Sequence, residues 1–394
     1  KLAAEQWFVT WALWEWLLTL RGLAMAATAT NRPTHCRPNL SPMSRSTIEE
    51  ADARAGGDAD RPAGQGRELR LLAVALVLAM STWFSTAAVL GQLTAAWDLG
   101  STAKSWLIIA LQIGFVVGAA GSSLANLADR IAPRRLMLIG TTGAAIANAA
   151  IIPLNAYGPA LVARFMTGVF LAAVYPPALK AMSSWYRAGR GYALGVMIGA
   201  LTLGSALPHL INGIGELDWQ VVIGATSALT LVGGLLAERL GSEGPYATAA
   251  APFDPAKLRS VVNNREFRLA SLGYFGHMWE LYAMWAWIAA FYGDVFINQR
   301  SASIAAFGTI GIGAFGCVYV GSLSDRQKRS TAAGLAMRWS ALASMVTGFL
   351  VSAPPAFVLM VGLVWGFWVV ADSAQFSTIV TEVVEPESVG TALT

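Results

Sequence analysis

A glutamate and a histidine stand in the middle of an apolar run, and they are the residues most able to do chemistry here. The stretch Gly276-His277-Met278-Trp279-Glu280-Leu281-Tyr282 continues through Met284, Trp285 and Trp287. At helical rise Glu280 lies about 18 Å from the start of that run at Arg268, the depth of a bilayer midplane. A carboxyl there costs about 2.5 to 3.5 kcal/mol on insertion scales, so intramembrane acids as a rule face a cavity and carry function. His277 is three residues earlier on the same helix face, within reach of the acid. An acid beside an imidazole can take up and release a proton. The bland alternative is a buried, hydrogen-bonded structural pair. Arg164 stands about 8 Å inside another apolar run. From there its guanidinium can face an anion, join a proton path, or snorkel to the outer surface. Asp372, with Ser373 and Gln375, falls in the inner third of the last apolar run, and His209 follows Pro208 near the outer end of the fifth. Trp83, Trp365 and Trp368 can line a cavity, although aromatics in such runs more often serve packing or interface anchoring.

The elements that must hold these groups are set by composition. Of 394 residues 55% are hydrophobic and 13% charged, too little polar surface for a soluble protein. Ten apolar runs long enough to cross a bilayer are expected near 71–92, 105–127, 135–153, 159–181, 191–212, 219–237, 268–292, 303–323, 331–352 and 355–379. The expected organisation is a polar, disordered tail over 1–70, a first bundle over 71–237, a central loop over 238–267 and a second bundle over 268–394. The apolar stretch 7–20 carries Glu15 and is too short for a span; an interfacial helix, or translation from upstream of a start at Met43, accounts for it better than a signal peptide. Basic residues gather after the even-numbered runs, at Arg130, Arg134, Arg135, Arg187, Arg190, Arg239, Arg326 and Arg329, whereas the opposite loops offer Lys104 and Arg300. Lys and Arg are retained on the cytoplasmic side, so the amino terminus is expected inside. The two cysteines, Cys36 and Cys317, suggest neither a structural bridge nor a thiolate metal site. No basic block interleaved with aromatics points to nucleic acid. No metalloprotease or serine-hydrolase signature falls within a run, which argues against an enzyme. No cofactor is implied.

Two loops are alike. One reads Ala125-Asn-Leu-Ala-Asp129-Arg130-Ile-Ala-Pro-Arg134-Arg135, and the other Gly321-Ser-Leu-Ser-Asp325-Arg326-Gln-Lys328-Arg329. The same loop returning one six-span unit later marks an internal structural repeat, a common construction in secondary transporters. A carboxylate beside guanidinium groups at helix ends can clamp two helices. The pair of loops resembles the hallmark of the major facilitator superfamily, whose loop between spans two and three reads Gly-x-Leu-Ala-Asp-Arg-x-Gly-Arg-Arg. The first copy departs from it at Ala125, Ala132 and Pro133, and the second lacks a glycine after Arg326.

The resemblance covers about residues 70–394 and implies two pseudo-symmetric six-helix bundles, all-α and polytopic. With ten spans the second bundle lacks two helices, so the chain reads as a fragment. It implies that Asp129 with Arg130, and Asp325 with Arg326, are conformational latches of the outward-open state. It implies that Arg164, in Arg164-Phe-Met-Thr-Gly168-Val-Phe-Leu-Ala172, belongs to a motif associated with proton coupling. It also implies that spans one, four, seven and ten border a central cavity, gathering Trp83, Arg164, Glu280 and Asp372 around one space. The expected activity is secondary transport of a small polar or ionic solute by alternating access, coupled to protons, in a bacterial inner membrane. The fifth run lacks the Gly-Pro dipeptide of the family's drug antiporters, which favours symport over export. A membrane receptor or scaffold that binds a solute without moving it is the rival.

Overall fold

Long apolar stretches interrupted by Gly, Pro and short basic loops can satisfy their backbone in lipid only as helices, and helices are what form. The computed structural model describes residues 62–125, 127–187, 189–215, 217–246, 258–327 and 329–384, and among them no strand occurs. Ten helical passages run through these residues. They comprise passage 1 (65–97), passage 2 (Ser101–Leu124), passage 3 (Pro133–Leu154), passage 4 (Tyr157–Ser183) and passage 5 (Arg190–Gly215). Passage 6 (Trp219–Leu240), passage 7 (Arg265–Val295), passage 8 (Gln299–Ser324), passage 9 (Arg329–Thr347) and passage 10 (355–383) complete the set. Among the described residues, seven helices are long and apolar enough to cross a membrane by length and composition. Passages 1, 7 and 9 fall short of that test. The longest unbroken piece of passage 1 is 15 residues, and passages 7 and 9 give up apolarity to residues such as His277, Glu280, Arg338 and Ser340.

Three boundaries differ from the sequence reading. Passage 1 begins at Gln65, not after Arg70, because polar residues of the expected tail find partners: Gln65 Nε2 donates to Trp185 O at 2.6 Å, and Glu68 accepts from Ser242 N at 3.0 Å. Passage 7 likewise begins early, at Arg265, where Asn264 caps the helix by accepting from the Glu266 and Phe267 N–H groups. The stretch that follows passage 6, through Tyr246, packs back on the helix ends. Arg134 donates to Gly241 O at 2.6 Å, Ser184 receives Gly244 N at 2.9 Å, and the Arg187 guanidinium lies 4.3 Å over the Tyr246 ring. The stretch 7–20, Cys36, Met43 and Lys328 lie outside the described residues.

Five passages are broken, passage 3 among them at Ala150. Passage 1 gives way to a 3-10 turn at Met80–Thr82 and to non-helical backbone at Phe84 and Val89. Passage 4 stops at Leu171 and restarts at Tyr175, with Pro176 and Pro177 in its opening turn, where a missing N–H costs nothing. Passage 8 breaks at Ile312, and passage 10 between Val369 and Ser373. A break frees carbonyls that lipid cannot satisfy. Side chains of neighbouring passages catch them: Thr230 hydroxyl on Ala79 O, Arg164 on Thr82 O and Trp83 O, Asn212 on Ala88 O, and the Cys317 thiol on Val370 O.

Glycines set how closely the passages cross. A Cβ on Gly168 would strike the Leu111 carbonyl, and one on Gly118 would strike Val169 O at 2.5 Å, so passages 2 and 4 touch backbone to backbone. The same crossing recurs between passages 8 and 10. There Gly366 meets the Thr309 carbonyl and Gly316 that of Phe367, each partner 198 positions later (366 less 168, 309 less 111). Gly366→Ala is expected to cost about 1 to 3 kcal/mol through forced separation of these helices. Gly276→Ala, where nothing lies within 4 Å, should leave the thermal unfolding midpoint unchanged. Equal midpoints for the two variants would remove the crossing as a determinant.

Candidate functional site

Two polar clusters are buried among these helices, one in each group of passages. The first forms at the break in passage 1. Arg164, 1% exposed, donates from Nη1 to Thr82 O at 3.0 Å, to Ser85 Oγ at 3.2 Å and to Asn148 Oδ1 at 3.1 Å, and from Nη2 to Trp83 O at 2.6 Å. Asn148 is held in turn by the Ser85 hydroxyl and by its own amide donating to Ser227 Oγ at 2.9 Å. The guanidinium therefore does not snorkel outward. It points inward because the break offers two carbonyls in the fork geometry that guanidinium suits. Among the described residues no carboxylate is its partner, and its Nε is left without an acceptor.

The second cluster joins passages 7, 9 and 10. Glu280 Oε1 accepts from Trp365 Nε1 at 2.7 Å and from the Ser340 hydroxyl. His277 Nδ1 lies 2.9 Å from Asp372 Oδ1, an ion-pair contact not aligned as a hydrogen bond. Its Nε2 is 2.7 Å from Ser373 Oγ. The side chains of His277, Glu280, Asp372 and Ser373 are all buried, and the rings of Tyr274 and Phe376 close over the imidazole at 6.1 and 5.6 Å. Asp372 comes into range because passage 10 breaks there, and Ser373 opens its second helix. The imidazole thus spends both nitrogens on passage 10, not on Glu280 as helical spacing suggests.

The expectation of one shared space is met only in part. Trp83 joins both groups: its carbonyl receives Arg164, and its ring lies parallel to that of Tyr282, 6.0 Å between centroids and 6° apart. Phe84 meets Trp285 edge-on at 5.8 Å. Glu280, by contrast, is bonded to passages 9 and 10, on the side of its helix away from Tyr282. Trp365, read as a packing or cavity residue, is a direct partner of the acid. Asn148, Ser85 and Ser340 were missed. The only signal for them is a small polar residue inside an apolar run, which many membrane helices carry without consequence.

At the basic end the second loop copy acts as a bridge. Asp325 accepts from the backbone N–H of Gly191 at 3.0 Å and of Tyr192 at 2.9 Å, in the first turn of passage 5. The expected guanidinium partner is replaced by a helix N-terminus, which has unpaired donors and a favourable dipole for an anion. Close approach is possible because Gly191 and Gly321 cross, each placing a carbonyl 2.5 Å from where the other's Cβ would be. Arg130 and Arg326 are exposed at this end. The side chain of Asp129 lies outside the described residues.

Comparison with known proteins gives these clusters a context. Residues 71–394 match the family model described as Major Facilitator Superfamily. The multidrug efflux pump LfrA of Mycolicibacterium smegmatis is 28% identical over 166 residues, covering 40% of this chain; the matched stretch spans 32% of that protein's length. Among solved structures, a bacterial homologue of the human lysosomal transporter Spinster, inward-facing and occupied, aligns with a TM-score of 0.61 at 17% identity. That alignment covers 82% of this chain and 76% of the other. A mutant of the nucleoside transporter NupG aligns with a TM-score of 0.62 at 14% identity, over 82% and 86%. At such identities the structural likeness speaks for the fold alone. An all-helical polytopic chain, with a crossing repeated 198 residues on and a family match over most of its length, belongs to the Major Facilitator Superfamily, a family of membrane transporters and not of enzymes.

Proposed function

We propose that this protein is a proton-coupled secondary transporter that moves a small polar or ionic solute by alternating access. Glu280, His277 and Asp372 form its proton site. The observation that carries this reading is the buried cluster itself. It gathers two carboxyls and one imidazole, with His277 set against Asp372 and Glu280 held by Trp365 and Ser340, so with all three ionised their charges sum to one negative. Net negative charge held away from water is costly, and a bound proton relieves it. A proton bound in one conformation and released when the passages part is the coupling step. The proposed orientation has the basic end in the cytoplasm of a bacterial cell, by the positive-inside rule.

Asp325 on the first turn of passage 5 is then a latch for the state closed on the cytoplasmic side. Asp325→Asn keeps the shape and removes the charge. It is expected to raise the population open on that side about two- to fivefold, read as longer distances between spin labels at Tyr192 and Gln327. An unchanged distance distribution would show that the contact holds no state.

Symport is the direction favoured by the fifth passage, which has no Gly-Pro dipeptide. The efflux pump among the relatives supports the opposite direction as a second reading. Solute flux in proteoliposomes with an imposed pH gradient distinguishes the two by the sign of movement. An absence of flux, with binding retained, would favour a receptor.

A further inference from the structure

We infer that passages 1, 5 and 7 enclose a binding site for an uncharged, ring-shaped solute bearing several acceptor oxygens, separate from the proton cluster. This rests on the transporter reading above. The site is built from buried polar atoms that have no partner among the described residues. They are Trp83 Nε1 and Thr86 Oγ1 of passage 1, Ser205 Oγ and both ring nitrogens of His209 in passage 5, and Trp285 Nε1 of passage 7. All five side chains are at most 3% exposed.

Their common location follows from the contacts around the short helix Ser85–Ala88, which touches both passage 5 and passage 7. Phe84 lies against Trp285, and Tyr282 is near both Trp83 and Trp285. On passage 5, Gly204 faces Val77 and Met80 of passage 1, whereas Gly213 faces Ser303 and Ile304 of passage 8. At 100° per residue Ser205, His209 and Asn212 fall on the face between these two contacts. Asn212 confirms the placement by donating to Ala88 O of passage 1 and Ser303 Oγ of passage 8 at once. Counted at helical rise from the basic end, all five residues lie within about 10 Å of one another in depth.

The chemistry of the set specifies the ligand. Both indole N–H groups only donate, the two hydroxyls do either, and a neutral imidazole has one donor and one acceptor. A ligand must therefore present acceptor oxygens. No carboxylate, ammonium or guanidinium is in the set, so no fixed charge selects an ion. The flanking Trp83, Tyr282, Phe84 and Trp285 rings supply flat apolar faces for a ring. Buried polar groups are nearly always paired, and these would be paired by such a solute.

The test is thermal unfolding of the full chain with D-glucose, a saturated ring, and uracil, a planar one, each to 10 mM (on the order of a weak-binding range). Glucose 6-phosphate and tetraphenylphosphonium serve as charged controls. At least one neutral probe should raise the unfolding midpoint and the charged ones should not; which neutral probe acts identifies the ring type. Trp285→Phe keeps the ring and loses the donor, and should weaken the effective probe about tenfold, as should His209→Leu. If either variant fails to fold, equilibrium dialysis of the labelled probe against Trp83→Phe replaces it. A midpoint raised only by charged probes, by none, or equally in the wild type and the donor-deleted variants, overturns the site. Neutral-probe binding is read without a pH gradient and proton-driven accumulation with one, so loss of this site and loss of the proton reading are separate results.

Discussion

Glu280→Gln should collapse proton-driven accumulation while leaving the protein folded. A gradient of one pH unit is worth about 1.4 kcal/mol per proton, enough for about tenfold accumulation of a neutral solute moved with one proton. The variant is expected to bring that ratio to about one. The glutamine carbonyl can still accept from Trp365 and Ser340, which both donate to the same oxygen of the acid. It cannot take a proton. Equal inside and outside concentrations, with exchange of labelled solute preserved, are the expected signature in proteoliposomes. Full accumulation by the variant would remove Glu280 from coupling. It would shift attention to the His277–Asp372 pair, whose own test is His277→Gln in the same assay.

Arg164→Ala should have its effect on the fold, not on coupling alone. Removing the guanidinium strips the acceptors Thr82 O and Trp83 O of their donors at the break in passage 1. Each buried acceptor left unpaired costs about 1 to 3 kcal/mol, so the loss is about 2 to 6 kcal/mol, comparable with the whole stability of many domains. Little folded protein should be recovered, measured by monodisperse yield in detergent and by the unfolding midpoint. Arg164→Lys should recover part of it, because an ammonium is a single point of donation and cannot span both carbonyls. A stable Arg164→Ala protein that has lost only coupling would instead favour the proton-path role.

The two clusters also differ in a way that the internal repeat makes visible. Applying the offset of the glycine crossings, the counterpart of Arg164 in passage 10 is Gly362 (164 plus 198). A Cβ there would strike the Tyr292 hydroxyl, which bonds Thr309 at 2.8 Å. One group of passages therefore buries a cation on backbone carbonyls, and the other buries acids on hydroxyl, indole and imidazole. Related frameworks carry opposite charge, and this asymmetry supports placing the proposed proton site in passages 7, 9 and 10.

By itself the sequence determined where the helices lie to within a few residues, that they belong in a membrane, and which residues would be costly to bury there. Each follows from local quantities: apolar run length, the free energy of transferring a charge, and a loop repeated along the chain. Glu280, His277, Asp372 and Arg164 were legible for that reason. Tertiary structure alone decided what these residues touch. His277 meets Ser373 across 96 residues, Glu280 meets Trp365 across 85, and Asp325 meets Gly191 across 134. Such pairings depend on how closely glycine-faced helices cross and on where a helix breaks, and neither is a property of a short window of residues. The break in passage 10 turned the acid of one helix toward the imidazole of another. The break in passage 1 gave Arg164 its carbonyls, because a backbone that leaves the helix inside a membrane must find its hydrogen bonds from a neighbour.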